Sequence, residues 1–383
     1  MISSRKLQKY LSRGYVQSVK CFSQKDSSLK ICKHFVVIPV CDEPDIGRSI
    51  SQWGKELPDN CGLLLVINHP ENAALERKLR NRVFLQQLND GENFGFPAER
   101  LFWIDAVSAG KEITGGVGEA RKIGLDSALN LLQEKELSES LLISCDGDTL
   151  IAADYWKKLT RIVLLHPDCG AFCLGVHHQK GQTPEEEVAI REYECYLQSY
   201  VDGLCFAESP YAYHSIGSAI VVKADAYLLA GGMRAYSAGE DFYFLQALRK
   251  VTGVWQMTEK LVFPAARPSD RVPFGTGKAI CSLLSGEKLP KYPKEAFVVL
   301  RQFLMSATDE NLGDAEKFSQ MQTSEVMTFF LRQNHFLRVW PRVVANTAKR
   351  PGALIQAFHS WFDALKTYRF IHFFMENMEK RDG

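Results

Sequence analysis

The chain alternates short, continuously apolar runs with longer stretches in which apolar residues recur at helical spacing. Residues 34–40, His-Phe-Val-Val-Ile-Pro-Val, form the first run and predict a buried strand with Pro39 near its end. Runs of the same kind predict strands over 62–68, 101–104 and 141–145. Helices are predicted between them over 46–53, 73–88 and 119–132. In the last, Ile123, Leu125, Ala128, Leu129 and Leu132 mark the apolar face. Strands apolar along their whole length and separated by helices imply a parallel sheet covered on both faces. Ligands bind such sheets beyond the carboxyl ends of the strands, so 40–43, Asn68 and 146–148 share one rim.

After residue 148 the rhythm changes. A helix is predicted over 153–165, a strand over 171–178, a long helix over 185–204, a strand over 215–223 and a short one over 261–264. From about residue 277 the strand signal fades, and 295–306, 324–340 and 354–374 predict amphipathic helices. The expected organisation is an extension or short helix over 1–33, an α/β domain over 34–276 and a helical C-terminal region over 277–383.

Composition narrows the class. With 383 residues, 46% of them apolar and 24% charged, the chain can bury a sizeable core. A net charge of +1 supplies no field that would draw the protein onto nucleic acid. The ten cysteines are scattered; the closest pair, Cys169 and Cys173, has no second pair at metal-ligand spacing. That usage predicts a reducing compartment. The first twenty residues are polar and basic, without the apolar stretch of a signal peptide, and no window reaches the ~18 apolar residues of a membrane span. A cytoplasmic protein is expected. Phe329, Phe330, Trp340, Trp361, Phe373 and Phe374 lie among basic residues in the C-terminal helices. They suit packing, against the sheet domain or in a homodimer, or else peripheral contact with the inner face of a membrane carrying a lipid-linked acceptor; packing is the preferred reading.

Four stretches could carry chemistry. Asp146-Gly147-Asp148 puts two carboxylates just past a buried strand, where both could approach one hard cation such as Mg2+ or Mn2+; a solvated Asp-Gly turn is the alternative. Gly239-Glu240-Asp241 opens an apolar helix, so Asp241 is either a cap or a general base. Arg121 and Lys122 lie in a glycine-rich approach to a helix, over 115–124. It is either a phosphate site or a loop before a solvated basic helix. Arg267 and Arg271, with Gly-Thr-Gly at 275–277, could close over a diphosphate or simply form a connecting loop. His214 reads as structural rather than as a third metal ligand.

In order, these pieces resemble the family-two glycosyltransferases with the GT-A fold. Residues 36–43, Val-Val-Ile-Pro-Val-Cys-Asp-Glu, are similar to that family's first strand and its ending. Residues 118–124 are similar to its Ala-Arg-Asn-x-Gly helix, Asp146-Gly147-Asp148 to its Asp-x-Asp motif, and Gly231-Gly232-Met233 through Gly239-Glu240-Asp241 to its Gly-Gly and Glu-Asp pairs. The match covers about 34–265. It implies a GT-A type α/β fold, with a mostly parallel central sheet flanked by helices, and a metal-dependent, inverting hexosyl transfer. The donor would be a UDP- or GDP-linked sugar and the acceptor a saccharide or a lipid-linked hydroxyl. Pro39, Val40, Cys41, Glu43, Asn68 and Arg121 would line the nucleotide, with Arg267 and Arg271 over the diphosphate. Asp146 and Asp148 would meet the Mn2+ or Mg2+ ion, Asp146 also facing ribose or sugar, and Asp241 would be the base.

The chain departs from the family's pattern at Asn68-His69, where the second strand usually ends in Asp-Asp or Asp-Gly. It lacks the Gln-x-x-Arg-Trp motif of processive synthases, which implies single-sugar transfer, and has no histidine between Asp241 and His335. A sugar nucleotidyltransferase would carry a Gly-rich, Arg-containing loop after the first strand, and 40–47 has none. A non-catalytic nucleotide- or sugar-binding protein on the same fold is the other alternative; Asp146, Asp148 and Asp241 speak against it.

Overall fold

The computed structural model describes residues 4–22, 32–108, 110–268 and 275–382. Arg271 lies outside the described residues. The chain forms two compact units, one of Met1–Tyr193 with Ser215–Glu287, the other of Glu194–His214 with Lys288–Gly383.

The first unit is built on one nine-stranded sheet. Its strands are β1 (Lys20–Cys21), β2 (His34–Val40), β3 (Cys61–Asn68), β4 (Leu101–Ala106), β5 (Leu141–Ser144), β6 (Leu150–Ile151), β7 (Cys169–Val176), β8 (Ile220–Lys223) and β9 (Gly253–Phe263), in the order β1-β4-β3-β2-β5-β8-β7-β9-β6. β2 to β5, β7 and β9 point one way; β1, β6 and β8 oppose them. β2 and β3 are buried at every position, as strands covered on both faces must be. The sheet is thus mixed and mostly parallel, flanked by helices, and followed by a helical C-terminal region: a GT-A-like architecture, the fold class expected.

Two local features open the rim. The carbonyl of Val37 accepts from the Cys145 N–H at 3.1 Å, and the β2–β5 ladder ends there. Pro39, two residues on and facing the same side, has no N–H to extend it, so the chains part. Helix Gly116–Leu131 lies close on β2 and β3 because residue 124 is glycine; a Cβ there would stand 2.3 Å from a Val37 methyl carbon.

Several expectations are corrected. The strand expected over 261–264 is eleven residues long; Gln256, Thr258, Glu259 and Lys260 and the irregular register with β7 erase its apolar period. The strand expected over 215–223 starts only at Ile220, after a turn of 3-10 helix at Gly217–Ala219. The N-terminal stretch holds helix Ser4–Leu11 as well as β1. Leu7 and Tyr10 of that helix are buried, and the Tyr10 hydroxyl donates to Asp126 at 2.7 Å.

In the second unit the helix expected over 324–340 is two, Glu325–Gln333 and Phe336–Asn346, parted at His335 with φ 53°. Likewise 354–374 divides into Ala353–Trp361 and Ala364–Asp382. A phenylalanine-rich core, Phe303, Phe318, Phe330, Phe336, Phe358, Phe362 and Phe370 with Trp340, fills this unit. Most of the aromatic residues weighed for a membrane role therefore pack inward, while Phe329 stays 50% exposed. No described helix is long and apolar enough to cross a membrane.

Candidate functional site

Topology explains which residues meet. The parallel strands end at one rim, with Cys41 to Glu43 after β2, Asn68 at the end of β3 and Asp146 to Asp148 after β5. Helices that return against the strands start at that rim. Gly116–Leu131 brings Arg121 there, and Glu240–Arg249 brings Glu240 and Asp241. β8 is antiparallel, so its approach, Gly217–Ala219, comes to the same edge, and β9 delivers Arg267 just past its end.

Arg121 is the hub. Its side chain is buried, and its guanidinium forms ion pairs with Asp146 through one terminal nitrogen and with Glu240 through the other. Burial alone would lower the arginine's pKa, but the carboxylates of Asp146, Glu240 and Asp241 outweigh it and hold the charge in place. The seat is cut to shape by glycines. A Cβ on Gly217 would lie 2.5 Å from Arg121 Cζ, and one on Gly118 would lie 2.1 Å from the Tyr236 carbonyl oxygen. Ser144 fixes this edge by donating to the Gly217 carbonyl at 2.8 Å.

Asp241 is partly buried beside this cluster. Burial, then the charge of Glu240, push its carboxyl up from its ordinary 3.8 to about 7; Arg121 pulls the other way but does not win. A carboxyl poised there can exchange a proton near neutrality, as a general base requires. At the same time its Oδ1 accepts from the Phe242 N–H at 2.7 Å.

Arg267 makes the second clamp. It pairs with Glu43 and, at 3.0 Å, with Asp148. Gly147 lets this happen, since a Cβ there would meet Glu43 Cγ at 2.9 Å. Gln179 holds the Asp148 backbone to the end of β9, donating to the carbonyls of Asp148 at 2.9 Å and Phe263 at 2.8 Å. Neither Gly217 nor Gln179 carries a signal in the sequence that would single it out. Glu240 does, as one half of an acidic pair at a helix start.

The remaining candidates sit differently. Pro39 and Val40 are buried within β2, and Cys41 is half-buried just beyond it. Asn68 is buried, and its amide donates to the carbonyls of Val40 at 3.2 Å and Val66 at 2.9 Å, so it braces two strand ends. Its own carbonyl is held by Asn81, which also accepts the Asp42 N–H at 2.8 Å. His214 lies within hydrogen-bonding distance of Gln198, at 3.2 Å.

Among the described residues no group of three or more His, Cys, Asp or Glu side chains is arranged to hold a metal ion. A Mg2+ or Mn2+ ion shared with a substrate diphosphate needs only one or two carboxylates, however. Asp148, whose side chain is 26% exposed, has the right donor chemistry for that, once Arg267 gives way. Asp146 is committed to the buried Arg121.

No protein-family model matches the chain. No curated protein matches it either. Among solved structures the chain is similar to the mannosyltransferase PcManGT from Pyrobaculum calidifontis, determined in complex with GDP-Man and Mn2+. Identity is 13%, 94% of each chain is covered and the TM-score is 0.41. A likeness that distant decides nothing; the fold class rests on the sheet order and flanking helices described above.

Proposed function

We propose that the chain is a glycosyltransferase that moves a hexosyl group from a nucleotide-diphosphate sugar to an acceptor hydroxyl, with inversion at the anomeric carbon. One observation carries the reading. Residues from five distant segments meet at the carboxyl rim of a mostly parallel sheet, and among them Asp241 has a carboxyl poised near neutrality beside the buried Arg121, which pairs with Asp146 and Glu240. In this reading Asp241 accepts the proton of the attacking hydroxyl as the new C–O bond forms. The bond to the diphosphate breaks, and its electron pair leaves on the phosphate oxygen. Arg121 holds Asp146 and Glu240 in register, leaving Asp146 to face ribose or sugar. Arg267, released from Asp148, moves onto the diphosphate. Pro39 to Glu43 and the braced Asn68 border the nucleotide. A Mn2+ or Mg2+ ion held by Asp148 would neutralise charge on the leaving diphosphate.

Asp241→Asn is expected to keep donor binding and to lose ~10²–10⁴ in turnover, the usual contribution of a positioned general base. Full turnover in that variant would place the base elsewhere. Asp148→Ala is expected to weaken Mn2+-dependent donor binding in a thermal-shift panel of nucleotide sugars, and unchanged affinity would remove Asp148 from the site. A wild-type chain that binds donors but neither transfers nor hydrolyses them would instead be the non-catalytic binding protein, the alternative favoured by both aspartates being ion-paired already.

A further inference from the structure

The helical unit carries a run of exposed cations. Between Glu325 and Asp363 the chain has no acidic residue, yet it has Arg332, Arg338, Arg342, Lys349 and Arg350, all exposed. Elsewhere in this unit Arg301 pairs with Glu208 and Lys317 with Glu310. Arg332, Arg338, Arg342, Lys349 and Arg350 form no ion pair among the described residues; the Arg350 side chain donates to the neutral Gln356 amide, at 3.0 Å.

Helix Phe336–Asn346 organises the face. Phe336 and Trp340 point inward at 1% and 0% exposure, and the Trp340 indole donates to the Leu312 carbonyl at 2.8 Å, which fixes the helix's rotation. The exposed arc then runs from Leu337, next to the buried side, through Pro341 and Ala345 to Arg338 and Arg342, one turn apart on its other half, and all five are exposed. Leu337 is 50% exposed. An aliphatic row with arginines along one side suits a helix lying in a lipid interface: the apolar edge enters the acyl boundary while guanidinium groups stay at the phosphates.

Other occupants fit less well. A two-fold partner copy would set Arg338 and Arg342 against their own counterparts, at a cost in like-charge repulsion. Nucleic acid would use the arginines but leave Leu337 without a role. We propose that this face docks the helical unit on a membrane surface rich in anionic phospholipid.

The test is co-sedimentation of the full chain with vesicles of phosphatidylcholine alone or of equal parts phosphatidylcholine and phosphatidylglycerol. Binding is expected only to the anionic vesicles, and it should weaken as salt is raised. Neutralising Arg338 and Arg342 together, both to Gln, should lower the partition coefficient about thirtyfold, at roughly fivefold per cation. Leu337→Ser should lower it several-fold. The substituted side chains are exposed, so unchanged thermal midpoints would exclude misfolding. No binding by the wild-type chain, equal binding by the variants, or binding to single-stranded DNA that survives Leu337→Ser while vesicle binding is absent would each overturn the proposal. No donor or acceptor sugar enters the experiment, so its outcome is independent of the transferase reading.

Discussion

Two arginines meet one Asp-Gly-Asp turn from opposite sides and under opposite conditions. Arg121, its side chain 6% exposed, pairs with the buried Glu240 and with Asp146, which is itself 36% exposed. Arg267 reaches Asp148 from outside, 27% exposed, with Glu43 as its second partner. An ion pair taken out of water is expensive to break, because what remains is an uncompensated buried charge. One that solvent reaches is cheap to exchange. The Arg121–Glu240 pair, both side chains buried, is therefore the harder to break, whereas the Arg267–Asp148 pair is open to solvent.

Breaking the inner clamp should have the largest effect. Arg121→Met strands Glu240 in the core and should cost about 3–5 kcal/mol in urea unfolding. A loss no greater than that from Arg267→Met would end the distinction between the two clamps. Gly217→Ala comes next. The new methyl would press on the guanidinium at 2.5 Å, so a cost of about 1–3 kcal/mol is expected, with Arg121 kept but displaced.

The pH dependence of stability sharpens the same point. Asp241 has a folded-state pKa raised to about 7 from 3.8. A raised carboxyl binds its proton more tightly when folded, so this contribution is complete below about pH 4 and fades as pH climbs through 7. Asp241→Asn should remove that slope, so its stability relative to wild type should rise with pH between those limits. Parallel curves for the two proteins would mean that Asp241 ionises normally. The smallest effect is expected from Arg267→Met, about 1 kcal/mol by the same unfolding measurement, most of it from the contact to Glu43, which is 10% exposed, since Asp148 is open to solvent. Its consequence should appear in ligand binding, as easier access of Mn2+ to Asp148 in a titration without nucleotide.

Much of this was legible in the residues. The apolar runs at 34–40 and 62–68 predict β2 and β3 closely because strands buried on both faces need no polar positions. β9 was nearly lost for the converse reason, an irregular register and polar, exposed positions over much of its length. In the helical unit, periodicity found the amphipathic stretches but ran through the break at His335, because the apolar repeat continues from one helix into the next. For the site, Asp146, Asp148, Asp241 and Arg121 stood out by type and setting. Asn68 stood out by position alone; its amide is occupied by the carbonyls of two strand ends.

Local pattern was enough to determine the kind of sheet, the edge where the acidic residues collect and the helical character of the last third. Those properties depend on burial and spacing along one segment at a time. Partnership was decided only by the folded chain. Which guanidinium neutralises which carboxylate, which glycine clears room for it and which arginine stays dry all depend on segments up to 224 residues apart, as Glu43 and Arg267 are. Charge pairing and exclusion of water act through space, and a linear sequence does not contain the distances that set them.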